Sequence, residues 1–332
     1  MSGLFDVIFA RRGRRDPQLE AGIGASPRPQ LWFCPSPGTP DWRALADPAT
    51  FAMLAVDCDA LQFYQDQLLD APMPPLGLPR TALPPHGWNT WRAFREWGIL
   101  SMAAAHNLRV IVESPGLKDW SPDPAVYVDR ILESARIARA MGGSIHAVAL
   151  DEPFNAGLNM WQPAWSVSHV LDHLRTVRQQ VQQHEASIEV GLIEPYPTID
   201  VQMLCSIVET FSPAFLHLDI DYRAARQRGS VKMLQADLVR LADCCRMLKV
   251  PFGVIIWGYE EHTAETFMRS ARTLLAVVQQ AVHRGDLSWP DRLIVQSWSA
   301  TAVLGPRLIP PTLPPDGSAS LWGLLRIVKR SL

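Results

Sequence analysis

Two short runs, SIHAVALDEP at residues 144–153 and SIEVGLIEPY at residues 187–196, decide the fold. Each is an apolar segment with β-branched residues that stops at an acid followed by proline. Between them, residues 166–184 have helical period. A strand that is apolar without alternation is buried on both faces, which is the condition of a parallel sheet covered by helices. The same pattern extends in both directions. Strand-like runs occupy 31–34, 59–64, 109–113, 145–150, 188–194, 214–220, 251–257 and 292–298, and helical segments occupy 51–56, 89–106, 126–141, 166–184, 201–211, 230–248, 263–283 and 320–329. Asp47-Pro48, Ser121-Pro122-Asp123-Pro124 and Thr198-Ile199-Asp200 are start signals for three of these helices, because polar caps and early prolines suit the unpaired amides of a first turn. The stretch 51–64 is nearly continuous and admits more than one partition.

Eight strands alternating with eight helices favour a single α/β domain closed into a (β/α)8 TIM barrel over an open doubly wound sheet. The chain has 332 residues, a length that barrels reach as one domain. No G-x-G-x-x-G or G-x-x-x-x-G-K-[ST] follows any strand, which removes the main support for a dinucleotide or P-loop site. The expected organisation is a polar, Pro- and Arg-rich extension at 1–30 and a barrel at 31–332, with a proline-rich loop at 308–318 before the last helix.

Composition narrows the function. Hydrophobic residues make up 48% and charged residues 19% of the chain, enough for a large core. Thirty-one Lys and Arg against thirty-three Asp and Glu leave a net charge of -2, which argues against a nucleic-acid surface. A membrane span is not expected, since no run of about 18 apolar residues occurs. Cys34, Cys58, Cys205, Cys244 and Cys245 form no C-x-x-C pair, so neither a disulfide framework nor a thiolate zinc site is indicated. With no signal peptide recognised at the start, the expected location is the cytoplasm.

In such a barrel the reacting groups sit at the C-terminal ends of the strands. Those ends carry Gln62 and Tyr64 (strand two), Glu113 (three), Asp151 and Glu152 (four), Glu194 and Tyr196 (five), Asp219, Asp221 and Tyr222 (six), Trp257, Tyr259, Glu260 and Glu261 (seven), and Gln296 and Trp298 (eight). A single acid past a strand is more often a helix cap. Acids at five strand ends crowd like charges together, and such a set shares protons, binds cations or does chemistry. Two facing carboxyl groups are what glycoside hydrolysis needs, and aromatic rings suit the C–H faces of a sugar. Trp161 and Trp165 add rings, although their i, i+4 spacing also fits one packed helical face.

Ala149-Leu150-Asp151-Glu152-Pro153 resembles the Asn-Glu-Pro of the clan-A (β/α)8 glycoside hydrolases, with aspartate where that superfamily has asparagine, and Trp298 resembles its strand-eight aromatic platform. The resemblance implies that Glu152 is the acid/base and that the nucleophile ends strand seven, at Glu260 or Glu261. Glu194, in a second Glu-Pro, is the rival to Glu260. The expected substrate is a carbohydrate or oligosaccharide, with no cofactor. Two other classes remain open. Glu113, Glu152, Glu194 and Asp219 could instead hold Mg²⁺ or Mn²⁺ for a sugar isomerase or lyase, with His217 on the same strand face as Asp219. A non-catalytic glycan-binding barrel is the third. His217 itself reads first as a buried, hydrogen-bonded core histidine.

Overall fold

A computed structural model describes residues 28–35, 42–69, 91–119, 121–259, 263–297 and 320–332. Eight parallel strands pair in sequence order and close on themselves. They are β1 (Gln30–Cys34), β2 (Ala60–Tyr64), β3 (Arg109–Ser114), β4 (Ala147–Asp151), β5 (Glu189–Tyr196), β6 (Leu216–Ile220), β7 (Phe252–Ile256) and β8 (Arg292–Gln296). Closure is made by β1, which sets Trp32 opposite Ala60 of β2 and Cys34 opposite Gln296 of β8. The expected (β/α)8 barrel is therefore the observed fold, and each expected strand is present within a few residues of its expected bounds.

The described α-helices are α1 (Pro48–Asp57), α2 (Trp91–Glu96), α3 (Ile99–Ala105), α4 (Gly116–Asp119), α5 (Pro124–Ala140), α6 (Pro153–Asn155), α7 (Val167–His184), α8 (Val201–Phe211), α9 (Tyr222–Arg228), α10 (Val231–Met247), α11 (Ala264–His283) and α12 (Leu321–Arg330). Asp47, Asp123 and Asp200 accept from the first-turn amides of Thr50, Ala125 and Met203, as their sequence context predicts. The segment 89–106 was expected as one helix. Its described part is two, because Gly98 adopts φ 65°, a left-handed conformation that ends α2 and starts α3. The outer layer is tied at its seam by the buried Asp57. It accepts from Trp322 Nε1 at 2.9 Å and pairs with Lys329 Nζ at 3.0 Å, joining the first helix to the last. None of the described helices is long and apolar enough to cross a membrane.

Side chains alternate along each strand, and this sorts the core into two parts. Outward residues such as Phe33, Val112, Leu150, Leu192 and Val254 pack under the helices. Inward residues, including Trp32, Ile111, Ala149, Ile193, Phe215 and Ile294, fill the barrel. The filling is uneven in size. His217 lies between Trp32 and Phe215, with ring centroids 4.7 and 4.5 Å away. It is buried as expected, but neither ring nitrogen has a hydrogen-bond partner among the described residues. Ring packing holds it instead, and burial, reinforced by Arg292, keeps its pKa low and the ring neutral. Room for these rings comes from two glycines. A Cβ on Gly191 would stand 2.3 Å from Phe215, and one on Gly253 would stand 2.6 Å from His217.

The N-terminal end of the barrel is closed by the first residues of three strands. Arg109 pairs with Glu189 at 2.9 Å, and Arg292 lies 3.9 Å from the same carboxylate. The Arg292 guanidinium also sits 4.6 Å from the centroids of both Trp32 and Phe215. Burial lowers its pKa to about 10, and the neighbouring Arg109 adds to this.

Overpacking a filled interior typically costs about 1–3 kcal/mol. Gly191→Ala should therefore destabilise the protein by an amount in that range in urea denaturation, and Phe215→Leu in the same chain should recover part of the loss. A Gly191→Ala protein as stable as the wild type would contradict this account of the interior.

Candidate active site

Above the packed rings, the inward positions at the C-terminal end turn polar. Gln62 on β2, Glu113 on β3, Asp151 on β4, Asp219 on β6 and Gln296 on β8 are all buried or nearly so. Cys34 and Tyr64 lie beside them, and Trp257 follows β7. The sequence is obliged to supply polar groups here, because the strands end and the lumen opens into loops rather than onto another apolar layer.

Glu113 is gripped by two amides. Gln62 Nε2 donates to its Oε2 at 2.6 Å and Gln296 Nε2 donates to the same oxygen at 2.7 Å. Gln296 Nε2 also donates to the Tyr64 hydroxyl at 3.1 Å, and that hydroxyl donates to the carbonyl of Ser297 at 2.9 Å. Burial pushes the Glu113 carboxyl well above its ordinary range, Asp151 adds to the shift, and Lys118 with the two glutamines opposes it. Burial likewise raises the Cys34 thiol and the Tyr64 phenol, with Glu113 the next contributor to each.

Glu152 stands at the tip of β4 with φ 48° and ψ 41°, the left-handed region that a non-glycine residue enters only when its surroundings hold it there. Among the described residues the other non-glycines with positive φ are Asn107, Ser212 and Lys249, and each follows the C-terminus of a helix. Glu152 instead precedes one. Its amide donates to the carbonyl of Ile193 at 2.9 Å, and its own carbonyl accepts from Ala156 at 2.8 Å. The side chain is oriented by Asn155 Nδ2, which donates to Oε2 at 2.8 Å, and by Lys118 Nζ, 3.3 Å from Oε1. Lys118 also meets Asp151 Oδ2 at 3.0 Å. One ammonium thus joins the two consecutive acids.

Glu194 is part of this arrangement, but on the other side of the sheet. Because Ile193 points into the barrel, Glu194 points outward with Leu192. Fully buried there, it accepts from the Phe154 amide at 2.8 Å and the Asn155 amide at 3.3 Å, the free N–H groups that open α6. Its carboxyl is raised by burial, an effect that these amides oppose and that Glu152 and Asp151 reinforce. Glu194 therefore props the segment that carries Glu152.

The remaining expected positions divide. Asp219 faces inward, only 8% exposed, and its carboxyl is raised first by burial and then by Glu152 and Asp151. Asp221 caps α9 through the Ala224 amide. Tyr196 shares the outward face of Glu194 and donates to Asp237 Oδ2 at 2.6 Å, so it does not line the mouth. Tyr222 is buried against Tyr259, with centroids 5.3 Å apart. The indole of Trp161 donates to the Leu117 carbonyl at 2.8 Å, bracing the turn that presents Lys118, and Trp165 stacks on His169. Glu260, Glu261 and Trp298 lie outside the described residues. Lys118, Asn155 and Cys34 were not singled out from sequence. For Lys118 the available signal was its place in the loop after β3, where barrel sites are built.

The four carboxylates of the metal alternative do not converge, since Glu194 faces away from the lumen. Among the described residues no three His, Cys, Asp or Glu are placed to hold a metal ion. The positive charge between Asp151 and Glu152 is supplied by Lys118 itself.

Comparison with known proteins shows a likeness of fold. The chain matches no protein-family model and no curated protein. Solved structures similar to it include a GH5_18 enzyme from Streptomyces cattleya in complex with GlcNAc, at TM-score 0.53 and 12% identity over 91% of this chain and 80% of that one. The GH53 catalytic domain of Ignisphaera aggregans aligns at TM-score 0.51 and 9% identity, over 83% and 87%. An intracellular xylanase from Thermoanaerobacterium saccharolyticum aligns at 0.50 and 12%, over 90% and 99%. At these identities the likeness is one of fold, a closed eight-stranded parallel barrel.

The raised carboxyls set a pH dependence. A carboxyl whose folded pKa lies above its unfolded value binds more protons when folded, so its stabilising contribution is complete at low pH and is lost as pH rises through the folded value. Glu113→Gln removes one such group while keeping an acceptor for both glutamines. In urea denaturation the variant should gain stability relative to wild type as pH is raised from about 5 to about 8. A difference independent of pH would show that burial does not hold a proton on Glu113.

Proposed function

We propose that the chain is a glycoside-hydrolase-like enzyme that cleaves or transfers glycosidic bonds in a carbohydrate or oligosaccharide, with Glu152 as general acid/base. The observation that carries this reading is the backbone of Glu152. A left-handed residue costs of order 1–3 kcal/mol, and here it is held by the Ile193 and Ala156 bonds while Glu194 fixes the two amides that follow. Such an investment in one side chain's direction fits a group that must meet a substrate atom. Asn155 and Lys118 then hold the carboxyl at the mouth.

In this reading Glu152 gives its proton to the oxygen of the departing group, and a second carboxylate meets the anomeric carbon from the opposite side. Strands four and seven lie nearly across the barrel from one another, so Glu260 is the proposed partner. Glu194 is assigned to positioning, because its two oxygens are already engaged by amides on the outer face of the sheet.

Glu152→Gln keeps the shape and removes the titrating proton. With aryl glycosides as substrates, turnover should fall by at least about 10²-fold with thermal unfolding unchanged. A folded variant with full activity on every wild-type substrate would remove Glu152 from the mechanism. If the anomeric configuration is retained, azide should restore turnover to Glu260→Ala and leave Glu194→Ala unrescued. The reverse outcome would exchange the two roles.

A further inference from the structure

Among the described residues the mouth carries four inward or tip carboxylates, Glu113, Asp151, Glu152 and Asp219, and their arrangement is unequal. Asp151 and Glu152 share the Lys118 ammonium, at 3.0 and 3.3 Å. Glu113 has its two glutamine amides. Asp219 stands apart. Its Oδ1 is buried without a hydrogen-bond partner among the described residues, on the inward face of β6 that it shares with His217. Across the lumen Gln62 and Gln296 donate through Nε2 to Glu113, and Gln296 also to Tyr64, while Oε1 of each is buried without a partner among the described residues. Three buried acceptors therefore wait for donors. A buried polar group left unmet is costly, and more so when it is charged, so this wall suits a ligand that brings N–H or O–H groups.

Charge says which donor fits Asp219. A neutral hydroxyl would satisfy its hydrogen-bonding capacity and leave unmet the need of its ionised form, which burial and then Glu152 and Asp151 disfavour, for a positive partner. An ammonium would satisfy both, and in a site shielded from water a charge-assisted hydrogen bond is about twice as strong as a neutral one. We propose that Asp219 is the specificity residue for a substrate bearing a free primary amine, and that the enzyme acts on glycosides of an amino sugar. This deepens the reading of the mouth as a sugar site and rests on it. The glutamine oxygens would take hydroxyl donors of the same ring, with Glu113 fixing the orientation of both amides.

Binding measured by calorimetry distinguishes this proposal from the catalytic one, because it needs no turnover. The probes are D-glucosamine and D-galactosamine, each against its neutral parent sugar and its N-acetyl derivative, on the wild type and on Glu152→Gln. At least one amine should bind about tenfold or more tightly than both of its neutral counterparts, in both proteins. Asp219→Asn, checked by thermal unfolding, should abolish that advantage while neutral-sugar binding persists. Equal or tighter binding of the neutral sugars to the wild type, no amine binding at any attainable concentration, or an amine preference that survives Asp219→Asn would each overturn the assignment. Loss of activity in Glu152→Gln with no amine preference would leave the proposed catalysis standing and refute only the substrate class.

Discussion

Alternation of side chains along a strand is the constraint on which everything else here depends. In a closed barrel each strand offers one set of residues to a shared lumen and the other to the helices, and a slip of one residue exchanges the sets. The register that sends Ile193 inward makes Glu194 a prop behind the sheet rather than a member of the mouth. The register that sends His217 inward delivers Asp219 to the opening two residues later. Chemistry and packing are thus written on the same strands, at successive positions of one parity.

The lumen is divided by height. Rings and aliphatic chains occupy its lower part, where Gly191 and Gly253 surrender their space to Phe215 and His217. Among the described residues, acids, amides and the Lys118 ammonium occupy the upper part. The rigid lower part supplies the footing that a strained residue such as Glu152 requires, since such a conformation persists only where its surroundings over-determine it. Glu194 adds to that footing from outside, so the orientation of the proposed acid is set from both faces of the sheet.

The barrel was legible in the sequence because its strands are buried on both faces and read as apolar runs, and its helices start at recognisable caps. The break at Gly98 was not, because a lone glycine inside a helical period does not announce a left-handed turn. At the site, the strand-end acids could be read one by one, but their direction could not. Glu194 and Asp219 look alike as acids near strand ends, and only the inward packing of Ile193 and His217 separates them. Tyr196 and Tyr222 were read as rings of the mouth for the same reason, and both are drawn into the outer layer. Lys118 left no trace in spacing, since a single cation becomes meaningful only when the fold brings it against Asp151 and Glu152.

The seal at the bottom of the barrel shapes the traffic through it. With Arg292 laid over Trp32 and Phe215, and Arg109 bound to Glu189 beside it, the lumen is a cup rather than a tube. A molecule bound above the packed rings, as the proposed reading has it, would therefore arrive and depart on the side of Glu152 and not through the floor.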